Sequence, residues 1–167
     1  TSGTAAAVAA PSVAMTPVVS APAGPSHPVV LRPPRQLPAD APRVLVALDS
    51  RDERRAVRNA LEDAGCSVIE AADGEAALAY TRRLAPALVI TELVLPKLDG
   101  YALAQALGDD GGPPCIAFTV QRDEQALAWA RECGCCAVVP AHDGPAALAT
   151  AAREALAAAG RQIRLAI

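Results

Sequence analysis

Two carboxylates and a hydroxyl follow short apolar runs at matching places in this chain. Asp49 comes after "RVLVAL", Glu92 after "ALVIT", and Thr119 closes "CIAFT". If those runs are parallel strands, their carboxyl ends gather the three groups on one rim, where open α/β sheets form their sites. Leu48, Pro140 and Ala141 fill the other positions of that rim. Two carboxylates with a backbone carbonyl are the donor set of a hard divalent cation, so Asp49 and Glu92 are candidate ligands for a weakly held Mg²⁺. No other cofactor is expected.

Other chemistries find little support. Neither G-x-G-x-x-G nor G-x-x-x-x-G-K-[ST] occurs, so no phosphate-cradling loop is available. His27 lies in a proline-rich stretch and His142 in a loop, where a lone histidine is ordinarily solvated. The formal charge of -3 and pI near 5.3 exclude the basic stripe that phosphate neutralisation requires, so direct nucleic-acid binding is not expected. No uninterrupted apolar run reaches the length of a membrane span. Five cysteines fit reduced thiols in a cytoplasm better than a secreted disulfide framework. Cys133, Cys135 and Cys136 cluster at the start of one apolar run and Cys115 starts another, a candidate thiol or metal site. Cys66 stands apart from them.

The elements that position these groups are legible from Arg43 onward. Residues 1–42 hold nine of the 15 prolines and read as an extended Pro/Ala-rich linker or tail, because so many missing N–H groups defeat both helix and strand ladders. The opening lacks Met and a basic stretch, so it reads as an internal fragment rather than a signal peptide. Thereafter "RVLVAL", "CSVIEA", "ALVIT", "CIAFT" and "CCAVVP" are continuous apolar runs of the kind buried on both faces of a parallel sheet. Between them lie helical patterns: residues 51–64 capped by Asp49 or Ser50, a second behind Asp73, "GYALAQAL", "RDEQALAWAREC", and a fifth near Asp143 that should end at Gly160. Strict alternation predicts a three-layer (βα)5 domain over residues 43–160, followed by a tail or connector over 161–167.

That alternation, together with "VLVALDSRDERRAVRNALEDAG", "VIEAADGEAAL", "ALVITELVLPKLDGYAL" and "AFT", resembles the receiver domain of bacterial two-component response regulators. The resemblance implies a flavodoxin-like sheet of order 2-1-3-4-5. It places the first member of the metal-binding acidic pair on Leu48 and the second on Asp49. The phosphoacceptor aspartate falls on Glu92, the switch hydroxyl on Thr119, the phosphoryl-pairing lysine on Ala141 and the switch aromatic on Val138. Lys97, the chain's single lysine, lies in the loop after the third strand, so no change of register restores the missing one.

Each departure bears on the family's reaction. Without the lysine, charge gathering on the phosphoryl oxygens is uncompensated. Leu48 removes part of the outer shell that orients a metal's inner ligands. Glu92 carries its carboxylate about 1.5 Å further out than an aspartate would, against an in-line geometry that tolerates little displacement. The expectation is a degenerate pseudo-receiver without enzymatic activity. Glu92 then reads either as a permanent charge hydrogen-bonded to Thr119 or as a drifted residue in an inactive pocket.

With the reaction lost, surfaces carry the function. Receivers bind partners or self-associate through helix four, strand five and helix five, which here present Val138 and the single tryptophan, Trp129. On helix four Ala126, Ala130 and Cys133 form the inward stripe and Trp129 flanks it. The expected function is a phosphorylation-independent, cytoplasmic signalling module that works by protein–protein contact within a larger bacterial regulator. Two alternatives stand beside it: a weakly phosphorylatable receiver served by a histidine kinase, and redox or metal sensing through Cys133–Cys136.

Overall fold

A computed structural model describes residues 36–165, with side chains through residue 160. In chain order the elements are β1 (Arg43–Ala47), α1 (Arg51–Asp63), β2 (Ser67–Ala71), α2 (Gly74–Leu84), β3 (Leu88–Thr91), α3 (Gly100–Asp109), β4 (Cys115–Thr119), α4 (Glu124–Glu132), β5 (Cys135–Pro140), a short 3-10 turn (Ala141–Asp143) and α5 (Gly144–Leu165). The strands form one parallel sheet of order β2-β1-β3-β4-β5, so this is the flavodoxin-like three-layer fold.

Side chains alternate across the sheet even where the sequence is uniformly apolar, because helices cover both faces. Val44, Val46 and Leu48 pack with Val57 and Leu61 of α1 and Leu148 and Ala152 of α5. Leu45, Ala47 and Val89 face the other way, onto Ala77 of α2, Leu103 and Leu107 of α3 and Ala130 of α4. With so few aromatic residues, the core is built from aliphatic side chains. Each fully buried Leu or Ile contributes about 2 kcal/mol of transfer free energy.

Polar caps fix where the helices begin. Ser50 accepts from Glu53 N–H at 3.3 Å, Asp73 from Ala76 N–H at 2.8 Å, Asp99 from Ala102 N–H at 2.8 Å and Asp123 from Gln125 N–H at 3.1 Å. Each cap satisfies one N–H that the first helical turn leaves orphaned. Of the two caps expected for α1, Ser50 is therefore the one used.

At α5 the start falls where the sequence reading puts it, beside Asp143, and the end does not. Asp143 closes the 3-10 turn beside His142, and α5 starts after it at Gly144. Gly160 does not end α5, which continues to Leu165. A glycine inside a helix costs about 1 kcal/mol, which flanking alanines with high helix propensity offset. At the other end, Pro42 O accepts from Ser67 N–H at 2.9 Å, so the last residue assigned to the linker already joins the sheet. Residues 1–35, which hold most of that linker and His27, lie outside the described residues, as do residues 166–167. Among the described residues no helix is long and apolar enough to cross a membrane.

Candidate functional site

Parallel pairing puts the ends of β1, β3 and β4 at one rim, through Ala47 opposite Thr91 and Thr91 opposite Ala117. Asp49 and Glu92 meet there: the Asp49 backbone N–H donates to Glu92 Oε2 at 3.4 Å. The Asp49 side chain is exposed, while Glu92 is half-buried. Burial is the largest influence on Glu92 and pushes its carboxyl above the ordinary range. The Asp49 N–H acts the other way, and the carboxylates of Glu53 and Asp49 push it up further. Glu92 thus sits among acids.

Thr119 is buried at the end of β4, but its Oγ1 accepts from Gln121 N–H at 3.1 Å. The hydrogen bond envisaged between Glu92 and Thr119 does not form. The hydroxyl closes a local turn onto its own loop, a geometry open to any Ser or Thr at a strand end, while the glutamate bends toward β1.

Leu48 is fully buried in the core between the sheet and helices α1 and α5. Ala141 is half-buried against the same core. Neither brings charge to the rim. Lys97 does not supply it either, since its Nζ lies 3.0 Å from Asp73 Oδ2. Among the described residues no three His, Cys, Asp or Glu side chains converge as a metal group would need. Asp49 and Glu92 are the two carboxylates that meet at this rim, and Mg²⁺ characteristically takes one or two carboxylates and keeps several waters.

The "LPKLDG" stretch holds the rim together. Gly100 N–H donates to Leu93 O at 3.0 Å, and a Cβ on Gly100 would stand 2.1 Å from Glu92 O. Only glycine permits that approach. Lys97 takes the left-handed conformation, with φ 67°, which directs the chain back so that Asp99 can cap α3.

Two residues at the site carried no sequence signal strong enough to single them out. Arg54 donates from one guanidinium nitrogen to the carbonyl oxygens of Leu48 and Asp49, closing the end of β1. Tyr101 on α3 donates from its hydroxyl to Gln121 Oε1 at 3.2 Å, with Ala126 O at 3.4 Å, and so ties α3 to the loop after β4. Their contacts lie across loops and helices, where residue spacing is silent.

Away from the rim, Trp129 is 59% exposed and its ring lies 5.2 Å from that of Tyr101, inclined by 31°. It therefore leans toward α3 rather than toward α5. Val138 is half-buried on the same side of the sheet. Cys115 and Cys135 are paired across β4 and β5, with Cys133 beside the same core and Cys136 exposed.

The family model for the response regulator receiver domain matches residues 44–153. The chain belongs to this family. As a receiver domain it is a module of two-component signal transduction. Among curated relatives, the "Probable transcriptional regulator ycf27" of Porphyridium aerugineum is 41% identical over 81 residues, 48% of this chain and 34% of that protein. "Protein PilG" of Pseudomonas aeruginosa is 38% identical over 63 residues, 38% of this chain and 47% of its own length. The receiver thus spans between a third and a half of these two relatives. Among solved structures, a CheY-like receiver from Methanospirillum hungatei superposes with a TM-score of 0.68 at 21% identity, covering 73% of this chain and 98% of its own. The receiver domain of a signal transduction histidine kinase from Syntrophus aciditrophicus gives 0.63 at 25% identity, covering 71% and 92%.

Proposed function

We propose that this receiver signals without accepting a phosphoryl group and acts by protein–protein contact within a larger cytoplasmic regulator. The observation that carries the reading is the charge around Glu92. The carboxylate at the phosphoacceptor place is flanked by Asp49 and Glu53, Ala141 takes the place of the lysine, and Lys97 is held by Asp73. A phosphoryl group arriving there would add negative charge to negative charge without the lysine that pairs with it, and the guanidinium of Arg54 at the end of β1 is engaged by the Leu48 and Asp49 carbonyls.

The surface along α4, β5 and α5 is the contact face in this reading. β5 is an edge strand, and a groove of about 510 Å³ beside it is lined by Cys136, Ala137, Ala151, Ala155 and Ala158. Small side chains of this kind let a partner backbone approach closely. No enzymatic step and no direct nucleic-acid contact belong to the proposal.

The test is an amide NMR titration of the full chain with Mg²⁺ and then beryllofluoride, a phosphoryl mimic. Unmoved signals at Asp49, Glu92 and Thr119 are expected. Saturable shifts at those residues that spread to Val138 would favour a weakly phosphorylatable receiver served by a histidine kinase.

A further inference from the structure

Four of the five cysteines lie around the start of the β4–β5 ladder, at the opposite end of these strands from Glu92 and Thr119. Cys115 and Cys135 are direct Cα partners in the parallel pairing. Both are buried, at 2% and 5% exposure, and both belong to the core beneath α3 and α4. Neighbouring strands run about 4.8 Å apart, inside the Cα separation of about 4.4–6.8 Å that a disulfide spans.

The ladder is also irregular here. Its register slips between Cys115 and Ile116, so Cys136 is passed over as a bulge while Cys135 stays opposite Cys115. A bulge loosens pairing locally and re-aims the flanking side chains. Cys135 is the first residue of the edge strand and follows Gly134 in a left-handed conformation. Exposing it needs only the fraying of one strand end, among the least costly openings in a fold.

We propose that Cys115 and Cys135 are an oxidation site, closing to a reversible intramolecular disulfide when the protein meets a hydroperoxide. The proposal is independent of whether Glu92 is phosphorylated. In the first step the Cys135 sulfur attacks the O–O bond, forming a sulfenic acid and releasing the alcohol, or water when the oxidant is hydrogen peroxide. In the second step the Cys115 sulfur attacks the sulfenic sulfur and expels water, so two thiols and one hydroperoxide give one disulfide, one alcohol and one water. A dithiol reductant reverses the change. The division of labour follows from position: Cys135 opens the edge strand, where an oxidant can reach it once that strand end frays, whereas Cys115 lies on β4 between β3 and β5. The bridge would tie the edge strand to β4 beside α4, on the face assigned to partner contact.

The full chain treated with hydrogen peroxide, then alkylated after denaturation and mapped by peptide mass, decides the matter. The expected product is monomeric, has lost two hydrogens, contains a linked pair of Cys115 and Cys135 peptides, and returns to five alkylatable thiols with dithiothreitol. The C136S variant is expected to give the same bridge. Mapping on the wild-type chain needs no core variant, so a folding failure of C115S or C135S leaves the test intact. Oxidation confined to Cys136, a bridge joining Cys133 to Cys135, or Cys115 and Cys135 both remaining alkylatable would each overturn the proposal.

Discussion

The ammonium of Lys97 lies 3.0 Å from the carboxylate of Asp73. This pair joins the loop after β3 to the N-cap of α2 and commits the chain's one lysine away from Glu92. Asp73 is held below the ordinary carboxyl range, first by the Ala76 N–H and then by Lys97. A lowered carboxyl stabilises the fold above its unfolded pKa, and the contribution is lost as pH falls through the folded one. Lys97→Ala is expected to lower Tm near neutral pH and to differ little from wild type at pH 2. Lys97→Asn should lose less than Lys97→Ala, because Asn tolerates the left-handed backbone at this position. Thermal melts of the three proteins at both pH values check the sign.

Glu92 has the opposite linkage. Its carboxyl is raised from 4.5 chiefly by burial, so folding favours the protonated form. The resulting stability is present below the unfolded pKa and lost as pH rises through the folded one. Glu92→Gln is therefore expected to raise Tm at pH 7–8, with the gain disappearing near pH 4. A gain of equal size at both pH values would mean that packing, not charge, is responsible.

Gly100→Ala is expected to destabilise the domain by about 3 kcal/mol, at the upper end of the overpacking range. The clash is with the Glu92 carbonyl, a backbone atom that cannot rotate aside. Denaturant titration gives the change. Ser50→Ala, which removes only the α1 cap, should cost about 1 kcal/mol and serves as the scale.

Rebuilding the family's reaction tests the proposed phosphorylation independence. Glu92→Asp combined with Ala141→Lys is expected to take up label from acetyl phosphate in Mg²⁺, while the wild type and each single variant do not. Leu48 is best left in place, because a carboxylate there would enter a fully buried apolar site without a partner. Label on the wild-type protein at Glu92 would contradict the phosphorylation-independent reading.

Trp129, exposed on α4, packs on half-buried Tyr101 of α3. Trp129→Ala is expected to cost about 1 kcal/mol, the usual worth of such a pair beyond its buried area. Because α4 belongs to the proposed contact face and Trp129 is exposed on it, this change should also weaken partner affinity, and Ala155→Arg in the groove beside β5 should abolish it. Partner pull-down with the two variants and the wild type checks both outcomes.

The sequence by itself determined the alternation of strands and helices, the cap at Asp73, a cap for α1 at either Asp49 or Ser50, and the place of Glu92 at a strand end. These follow from local causes: apolar runs, side chains that reach an N–H three residues on, and breakers. Its resemblance to receivers also implies the departures at Leu48, Glu92 and Ala141, because residue identity at a motif position needs no geometry. Tertiary structure decided which groups are partners. Lys97 reaches Asp73, Arg54 closes the end of β1, Thr119 turns onto Gln121, and Trp129 leans on Tyr101 rather than toward α5. Such contacts join residues distant in sequence or depend on rotamer choice, and both are settled when the layers pack. The extension of α5 through Gly160 is of the same kind, since a single glycine's weak propensity yields to the helix around it.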